Sequence, residues 1–501
     1  MKNVTTFRFE AGLLSAVAPK HATPICCAHT TQRRPASTNT KTRRLHTTPP
    51  AAQDATLSSP VPAALSPTAL AQSGSSAVTM PAALSCLPLS QILRTYFITS
   101  ISSSPLLLGA STKVLRGMLE SRSVLFSIEK NPLLRSLLWH TFYLQFCAGE
   151  TQRQVAKINA ELRTQGYSGV ILEYALEVLK GGDPAAAKAN EAADVKVWRD
   201  RMLQTVEMAS PGDFVGLKWS GMGPQAMRLM KEDVDPTESM QEAMHAVCAA
   251  ARDRQISLLP AAEETWSLTG FLNWTMNMQR AYNAKPAGGQ PVVYSTYQAY
   301  LHSTPATISR HLAMAKKEDF TLGIKLVRGA YLWSEERSLI HPSIEATHTA
   351  YDGIMEALIK RQPNSWLTTP SESWPEISVV LATHNAVSVS TAQELRQNQV
   401  KQKQALTKLS FAQLQGMADE VSCTLIAAAK AAEDTKTQMV GAAAVKERVY
   451  KCTTWGSMSE CLNYLLRRAA ENKDAASRTQ ETRRAMQTEL GRRMKGMVGM
   501  A

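Results

Sequence analysis

Several common sequence features are scarce or missing in this chain of 501 residues. Aromatic residues make up only 6% of it. No run of about 18 apolar residues is present, which excludes a transmembrane helix of the usual kind. The eight cysteines are scattered, without a CxxC pair or the His-rich spacing that binds zinc. The sequence therefore predicts neither a metal site nor a disulfide framework, and it favours a compartment that keeps thiols reduced.

Basic residues are in excess, but they are unevenly distributed. The formal net charge is +13, and residues 1–60 hold eight Lys and Arg residues against only Glu10 and Asp54. Nearly half of the excess thus belongs to the first eighth of the chain. A nucleic-acid-binding protein would carry a basic stripe or a recognition motif on its folded part, and neither is found. We therefore expect no nucleic-acid partner.

The leading segment has the composition of a targeting signal. Residues 1–48 are rich in Arg, Ser and Thr and nearly free of acidic residues, which is typical of a mitochondrial transit peptide. The alternative is a disordered basic tail. Residues 49–85 consist largely of Ala, Pro and Ser and predict a flexible linker that cannot build a core.

The rest of the chain changes pattern once. Residues 86–166 have apolar residues three and four apart, as in Leu133–Trp139 and Val155–Leu162, and predict an N-terminal helical region. In residues 167–483, short apolar runs alternate with helical patterns such as Pro305–Ala315 and Ile344–Lys360. Eight of the runs predict strands: Gly169–Tyr174, Phe214–Ser220, Ile256–Pro260, Val292–Thr296, Gly323–Val327, Ser378–Ala382, Lys408–Phe411 and Arg448–Thr453.

Eight strands that alternate with helices predict a fold of the α/β class. Such strands are usually parallel, and eight is the number that closes a TIM-like (βα)8 barrel. We therefore expect a barrel over residues 167–483, preceded by the helical region and followed by a C-terminal tail, 484–501. This Met-rich tail would be either an amphipathic helix that touches a membrane or a solvated terminal helix.

Polar residues gather at the C-terminal ends of the proposed strands, where barrel active sites lie. Lys218 ends an apolar run, and it must either leave the barrel or meet an anion, because burying it unpaired is costly. Gln298 carries an amide that can bind the edge of a heterocycle. The structural alternatives are a lysine at the surface edge and a glutamine satisfied within the core.

Two further strand ends carry denser motifs. Lys325–Tyr331 alternates basic and apolar residues and then turns through Gly329, where a phosphate or a ring can approach the backbone. Thr383–Asn385 places three hydrogen-bonding side chains in a turn after another apolar run. A functional role and a structural role are equally open for its histidine, His384.

The last motif lies on a predicted helix. Its residues Tyr464, Arg467, Arg468 and Glu471 share one face. Two adjacent arginines aimed inward would hold a carboxylate through charged hydrogen bonds worth about 1.5–3 kcal/mol each. Glu471, four residues after Arg467, can fix one guanidinium. The alternative is a solvated basic face.

Four motifs, LVRGAY, ATHN, LQGM and YLLRRAAEN, occur in this order. Together they resemble the mitochondrial, FAD-dependent proline dehydrogenases (proline oxidases) of fungal type, and the resemblance runs from Leu87 to Arg483. It implies a distorted (βα)8 barrel that binds FAD non-covalently and oxidises L-proline to 1-pyrroline-5-carboxylate, the first step of proline catabolism to glutamate. It also implies transfer of electrons to ubiquinone and peripheral contact with the matrix side of the inner mitochondrial membrane.

The resemblance assigns roles to individual positions. Lys218 corresponds to a lysine between flavin and substrate, and Gln298 and Lys325 correspond to contacts of the isoalloxazine ring. The other implied cofactor-binding positions are Val327, Gly329, Ala330, Thr383, His384 and Asn385. The implied substrate-pocket residues are Tyr331, Leu414 and Tyr464, with Arg467 and Arg468 on the proline carboxylate and Glu471 as their orienting partner. In the family, a hydride passes from proline C5 to flavin N5, which requires a neutral amine.

Four positions depart from the family pattern. Ala261 stands where an aspartate supports the charge network beside the lysine, and Cys452 stands where a tyrosine is usual. His348 replaces an aspartate, and Ser295 replaces a common asparagine. The alternatives to an active proline dehydrogenase are therefore a flavoenzyme for bulkier imino acids such as hydroxyproline, and a non-catalytic protein that binds FAD or proline as a sensor.

Overall fold

The computed structural model describes residues 83–121, 123–175, 184–284, 290–368, 373–438, 445–471 and 476–498. Within these ranges, the structure describes only the backbone of residues 184–186, 434–438, 468–471 and 476–478. The predicted transit peptide, 1–48, and all but the end of the predicted linker, 49–85, lie outside the described residues.

The strands of the described residues form one parallel sheet. They are β1 Cys147–Gly149, β2 Gly169–Tyr174, β3 Phe214–Leu217, β4 Ser257–Pro260, β5 Ser295–Gln298, β6 Leu322–Val327, β7 Ile377–Ala382, β8 Lys408–Leu414 and β9 Arg448–Trp455. Strands β2 to β9 lie side by side in chain order, and β9 pairs with β2. A parallel bridge between Leu258 and Val293 joins β4 to the segment before β5. The result is a nearly closed eight-stranded barrel, which confirms the predicted fold.

Helices connect the strands and flank the barrel. They are α1 Leu89–Ser102, α2 Pro105–Glu120, α3 Pro132–Leu138, α4 Gln152–Gln165, α5 Pro184–Met208, α6 Pro224–Lys231, α7 Glu238–Asp253, α8 Thr265–Tyr282, α9 Thr304–Glu318, α10 Ile344–Lys360, α11 Ala386–Lys401, α12 Asp419–Gln438, α13 Met458–Glu471 and α14 Ala476–Met497. Each barrel strand is followed by at least one helix, so all strand C-termini face the same end of the barrel. No helix among the described residues is long and apolar enough to cross a bilayer.

Alternation along the strands divides the side chains into two sets. The outward set packs against the helices in the largest hydrophobic cluster. The inward set fills the barrel with Ile171, Phe214, Leu259, Tyr294, Val380, Ala412 and Tyr450. The Phe214 ring meets the edge of Tyr450 with their centroids 4.8 Å apart. The inward positions nearer the C-terminal ends are polar or small, and there the barrel opens into the candidate site.

The N-terminal helices and the C-terminal helix pack beside the barrel. Helix α14 contacts α1, and Met486 of α14 is buried in a cluster with Leu84 and Ile92. Residues 83–85, at the end of the predicted linker, and 484–497, in the predicted tail, are therefore parts of the folded unit. The predicted helical region also contains a short strand, β1, which pairs with β9 outside the barrel ring.

Candidate active site

Lys218 lies at the centre of the candidate site. It follows β3 directly, two residues after the inward Gly216, and its side chain is half-buried. Its Nζ donates to the hydroxyl of Tyr331, which follows β6, over 3.4 Å. The Tyr331 hydroxyl in turn donates to the carbonyl of Ala262 after β4, at 2.8 Å. Three strand ends thus meet around one ammonium group.

The loop after β4 lacks a carboxylate at its first position. The backbone N–H of Ala261 donates to the Leu217 carbonyl at 2.7 Å, which places the Ala261 methyl beside the strand that carries Lys218. Two residues later, the buried carboxylate of Glu263 accepts a hydrogen bond from the Ser220 hydroxyl at 2.6 Å. The loop therefore retains one of the two expected acidic groups.

Gln298 links two loops of the site. It is only 1% exposed, its Nε2 donates to the Glu263 carbonyl at 3.1 Å, and its Oε1 accepts from the Ala330 N–H at 3.0 Å. Both ends of the amide are thus bonded to backbone groups. The structure shows Gln298 as a buried brace between the loops after β4 and β6, and contact with a cofactor ring stays a prediction.

Gly329 allows a close aromatic contact. A Cβ at this position would lie 2.5 Å from the ring of Tyr300, so any side chain would collide with it. The ring that approaches this glycine on one side is therefore a tyrosine of the protein. Gly329 and Ala330 are themselves exposed, and their backbone is open to a ligand on the other side.

Arg328, which was not among the predicted site residues, joins the ends of two strands. Its guanidinium donates to the hydroxyl of Thr383 at 2.6 Å, to the hydroxyl of Ser388 at 2.8 Å and to Nδ1 of His348 at 2.9 Å. It also lies 4.2 Å from the centre of the Tyr351 ring. His348, which stands where the resemblance leads us to expect an aspartate, thus directly positions this arginine.

The motif after β7 is bonded mainly within the protein. Thr383 accepts from Arg328, and Nε2 of His384 accepts from the N–H of Leu414 at 3.1 Å. Asn385 caps helix α11, because its side chain accepts from the N–H of Ser388 at 3.1 Å. These contacts hold the loops after β7 and β8 together, while His384, Asn385 and Leu414 all keep some exposed surface.

The inward positions of β2, β6 and β9 form the floor of the site. Lys325 and Val327 are half-buried on β6. Burial in the barrel raises the pKa of the Cys452 thiol well above its ordinary value, and the nearby carboxylate of Glu173 raises it further. Gly216 leaves room for that carboxylate, since a Cβ there would lie 2.5 Å from Glu173. The thiol is therefore neutral, and it is smaller than the tyrosine that the resemblance leads us to expect here.

Helix α13 carries the residues that were predicted to bind the substrate carboxylate. Tyr464 is half-buried and packs against a cluster that includes Tyr143 and Leu462, and Arg467 is half-buried one turn later. Arg468 and Glu471 belong to the same helix, but their side chains lie outside the described residues. Their predicted roles stay predictions.

A buried ion pair supports the loop after β8. Lys451 and Asp419 are fully buried, with Nζ and Oδ1 2.8 Å apart. The same ammonium donates to the carbonyls of Met417, at 2.8 Å, and Leu414, at 3.4 Å. It therefore holds the backbone that presents Leu414. Sequence reasoning missed Lys451 because it assigned this strand by its apolar residues.

The comparisons with known proteins agree with this architecture. Residues 155–481 match the family model described as proline dehydrogenase. The "Probable proline dehydrogenase, mitochondrial" of Schizosaccharomyces pombe is 28% identical over 420 residues, which cover 73% of this chain and 81% of that protein. The "Hydroxyproline dehydrogenase" of Mus musculus is 28% identical over 330 residues, which cover 62% of this chain and 64% of that protein.

A similar fold occurs among solved structures. Proline utilization A from Bdellovibrio bacteriovorus, in the form inactivated by N-propargylglycine, superposes with a TM-score of 0.55 and 13% sequence identity. The match covers 76% of this chain but only 38% of that longer protein. At this identity the likeness shows the barrel fold alone.

Proposed function

Since this chain belongs to the proline dehydrogenase family, we propose that it oxidises L-proline to 1-pyrroline-5-carboxylate with FAD as cofactor and ubiquinone as electron acceptor. The observation that carries the proposal is the contact between Lys218 and Tyr331 at the C-terminal end of the barrel. It brings together a cation and a phenol from two strands at the same end of the barrel as Lys325 and Leu414.

The residues at this end of the barrel have side chains of the kinds that bind FAD. Lys325 and Arg328 are cations that suit a phosphate-bearing cofactor whose ring gains negative charge when it is reduced. His384 and the exposed Gly329–Ala330 backbone add polar groups on the same rim. When bound, FAD would supply the redox chemistry by accepting the hydride from C5 of proline. The protein's part is to position the substrate and to set the local charge.

We expect Arg467 to bind the proline carboxylate, with Arg468 as the second donor. A guanidinium binds a carboxylate through charge-assisted hydrogen bonds with a defined direction. The positive charge of Lys218 in the same space disfavours a protonated substrate amine. Proline would thus be held as a carboxylate with a neutral nitrogen, the form whose lone pair can assist hydride loss from C5.

The N-terminal helical region offers a surface for the proposed membrane contact. Leu106 is 86% exposed and Leu133 is 81% exposed. Other large apolar side chains in this region are at least half exposed: Leu93, Phe97, Leu107, Val114, Val124, Leu125, Phe126 and Leu137. Exposed apolar side chains this numerous in one segment of the chain favour a contact site. We assign it to the inner mitochondrial membrane, on the matrix side, where ubiquinone is available.

The reaction is tested by anaerobic reduction of the bound flavin. We expect the purified full-length chain to contain FAD whose visible absorbance bleaches when L-proline is added. Replacing Lys218 or Arg467 with Met should slow bleaching about 100-fold or more, as expected for a lost positioning contact. Lys316→Met, on the exposed side of α9, is the matched control and should bleach normally. Flavin that stays oxidised with both proline and hydroxyproline would support the sensor alternative.

The membrane contact needs a separate test. Leu106→Gln with Leu133→Gln should release the protein from vesicles of mitochondrial lipid composition, while Val387→Gln, on the exposed face of α11, should not. Unchanged vesicle binding by the double variant would contradict this assignment and leave the proposed oxidation untouched.

A second candidate substrate is hydroxyproline, and Cys452 is the observation that favours it. A thiol at this inward position, opposite Leu414 in the β8–β9 register, leaves space where the family usually has a tyrosine. The ratio of kcat/KM for hydroxyproline and proline decides between the two substrates.

A further inference from the structure

Two cysteines that are distant in sequence meet beside the barrel. Cys86 ends the short helical turn Leu84–Cys86, and Cys423 lies in the second turn of α12. Their Sγ atoms are 3.4 Å apart although 337 positions separate them in the chain. One thiol therefore donates to the other, and a disulfide bond would need only a small further approach.

The segment that carries Cys86 is firmly held. Leu84 and Leu87 on either side of it are buried in a cluster that also contains Cys423. Arg493 of α14 donates to the carbonyl of Leu87 at 2.8 Å and to that of Leu84 at 3.3 Å. Packing and the hydrogen bonds from Arg493 therefore hold Cys86 next to Cys423 in the folded chain.

The two thiols differ in reactivity. Cys86 is half-buried, and its hydrogen bond with Cys423 lowers the pKa of its thiol, with a smaller contribution from the charge of Lys430. Cys423 is buried, and its contact with Cys86 and its burial raise the pKa of its own thiol. A more acidic, partly exposed thiol next to a less acidic, buried one is the arrangement expected of a thiol that is oxidised first and then resolved.

We propose that Cys86 and Cys423 form a site of reversible oxidative modification, at which a peroxide converts the two thiols into a disulfide bond. The Cys86 thiolate attacks one peroxide oxygen, the O–O bond breaks, and hydroxide or water leaves, so that the sulfur becomes a sulfenic acid. The Cys423 thiol then attacks this sulfur, an S–S bond forms, and a second water leaves. With hydrogen peroxide, two thiols and one peroxide give one disulfide and two waters, and a dithiol reductant reverses the change.

The disulfide would constrain the helix that supports one loop of the candidate site. Cys423 lies one turn after Asp419, which begins α12 and pairs with Lys451. Lys451 holds the carbonyl of Met417 in the loop that presents Leu414. The bond would therefore fasten the N-terminal segment to the helix that supports this loop. The proposal needs neither flavin nor proline, so its outcome is independent of the proposed function.

A second pair of neighbouring cysteines tests whether proximity alone is enough for oxidation. Cys147 and Cys461 also contact each other, and this contact together with burial raises the pKa of the Cys147 thiol well above its ordinary value. Both of these cysteines are fully buried. If accessibility and thiolate character decide, peroxide should modify the first pair and spare the second.

The test is peptide mapping of the full-length chain after treatment with hydrogen peroxide. We expect a mass loss of two hydrogen atoms and a linked pair of tryptic peptides, 45–94 and 409–430, each of which contains a single cysteine. Dithiothreitol should separate them. A peroxide-treated chain in which these peptides remain unlinked, or in which Cys147 and Cys461 are linked first, would overturn the proposal.

Two variants separate the steps. In the Cys423→Ser variant, the reaction should stop at a sulfenic acid on Cys86, which dimedone traps. In the Cys86→Ser variant, dimedone should not label Cys423 and no linked pair of peptides should appear. Cys248→Ser, at a buried thiol on α7, should leave the link intact. If dimedone labelled Cys423 in the Cys86→Ser variant as strongly as it labels Cys86 in the Cys423→Ser variant, Cys86 would not be the first thiol to react.

Discussion

Nδ1 of His348 accepts a hydrogen bond from Nε of Arg328 across 2.9 Å. A ring nitrogen can accept only when it carries no proton, so the imidazole must be neutral with its proton on Nε2. Arg328 also binds Thr383 and therefore ties the end of β6 to the loop after β7. The arrangement of this rim thus depends on the charge of one histidine, at a position where the resemblance leads us to expect an aspartate.

We predict that affinity for FAD falls in acid because of His348. Protonation of the His348 ring would remove the acceptor and place a second cation beside Arg328, so the contact is made by the neutral ring and lost when low pH charges it. The carboxylates of Glu345 and Asp352 on the same helix offset part of the repulsion. We expect the Kd for FAD to rise severalfold between about pH 8 and about pH 5.5.

The comparison variant is His348→Asp. An aspartate accepts from Arg328 throughout this range, so the Kd of the variant should change much less with pH. His245→Asn, on the exposed side of α7, should keep the pH dependence of the unaltered chain. The same acid weakening in His348→Asp would show that other groups control it. Fluorescence titration with FAD measures all three proteins without relying on turnover.

A second prediction concerns Ala261. Its N–H is bonded to Leu217, so a carboxylate placed here would lie close to Lys218 and hold its ammonium in the charged form. We expect Ala261→Asp to raise kcat/KM for proline by about tenfold, equivalent to ~1.4 kcal/mol in the barrier. Ala261→Asn provides the same shape without the charge and should gain little. A lower kcat/KM in the aspartate variant, in a protein of normal Tm, would contradict the charge argument.

A third prediction concerns Cys452. A tyrosine here would occupy the space between Ile171 and Leu414, its register partners on the neighbouring strands. We expect Cys452→Tyr to reduce kcat/KM for hydroxyproline relative to proline by about tenfold, since an added ring excludes the larger substrate. Cys452→Ser keeps the volume and should keep the ratio. If the ratio is unchanged in a tyrosine variant that binds FAD normally, this position does not select the substrate.

The barrel was predictable because its strands are short, apolar and separated by helical patterns. Strand β2, Gly169–Tyr174, has the predicted bounds. Strand β5 begins three residues later than predicted, because Val293 makes only a single bridge to β4. Strand β1 was missed because three residues are too few to show an alternating pattern.

The site was less predictable, because the partners of its polar residues come from distant segments. Lys218 points inward like Gly216, two positions earlier, and the two-residue period of a strand can indicate this from the sequence. The sequence cannot show that Gln298 bonds to the backbone of Glu263 and Ala330. A local signal for Asn385 was available, since an asparagine just before a helical pattern is a frequent N-cap. The Arg328–His348 bond joins a strand end to a separate helix, and no local pattern predicts it.

The last prediction concerns the buried pair of Lys451 and Asp419. Removing one partner leaves a buried charge uncompensated, which usually costs about 3–5 kcal/mol. We expect Asp419→Asn to lower the free energy of unfolding by about this amount and Asp200→Asn, which breaks the exposed pair with Lys196, to lower it far less. Urea denaturation measures both.

Lys451→Met should affect the site as well as stability. The methionine fills the same space and leaves Asp419 free to protonate, but it cannot bind the carbonyl of Met417. Leu414 would then lose its fixed position, and we expect KM for proline to rise more than kcat falls. Steady-state kinetics at a temperature well below the unfolding transition separates this effect from partial unfolding, which would lower kcat and leave KM unchanged. A loss confined to kcat would therefore argue that the pair only stabilises the fold.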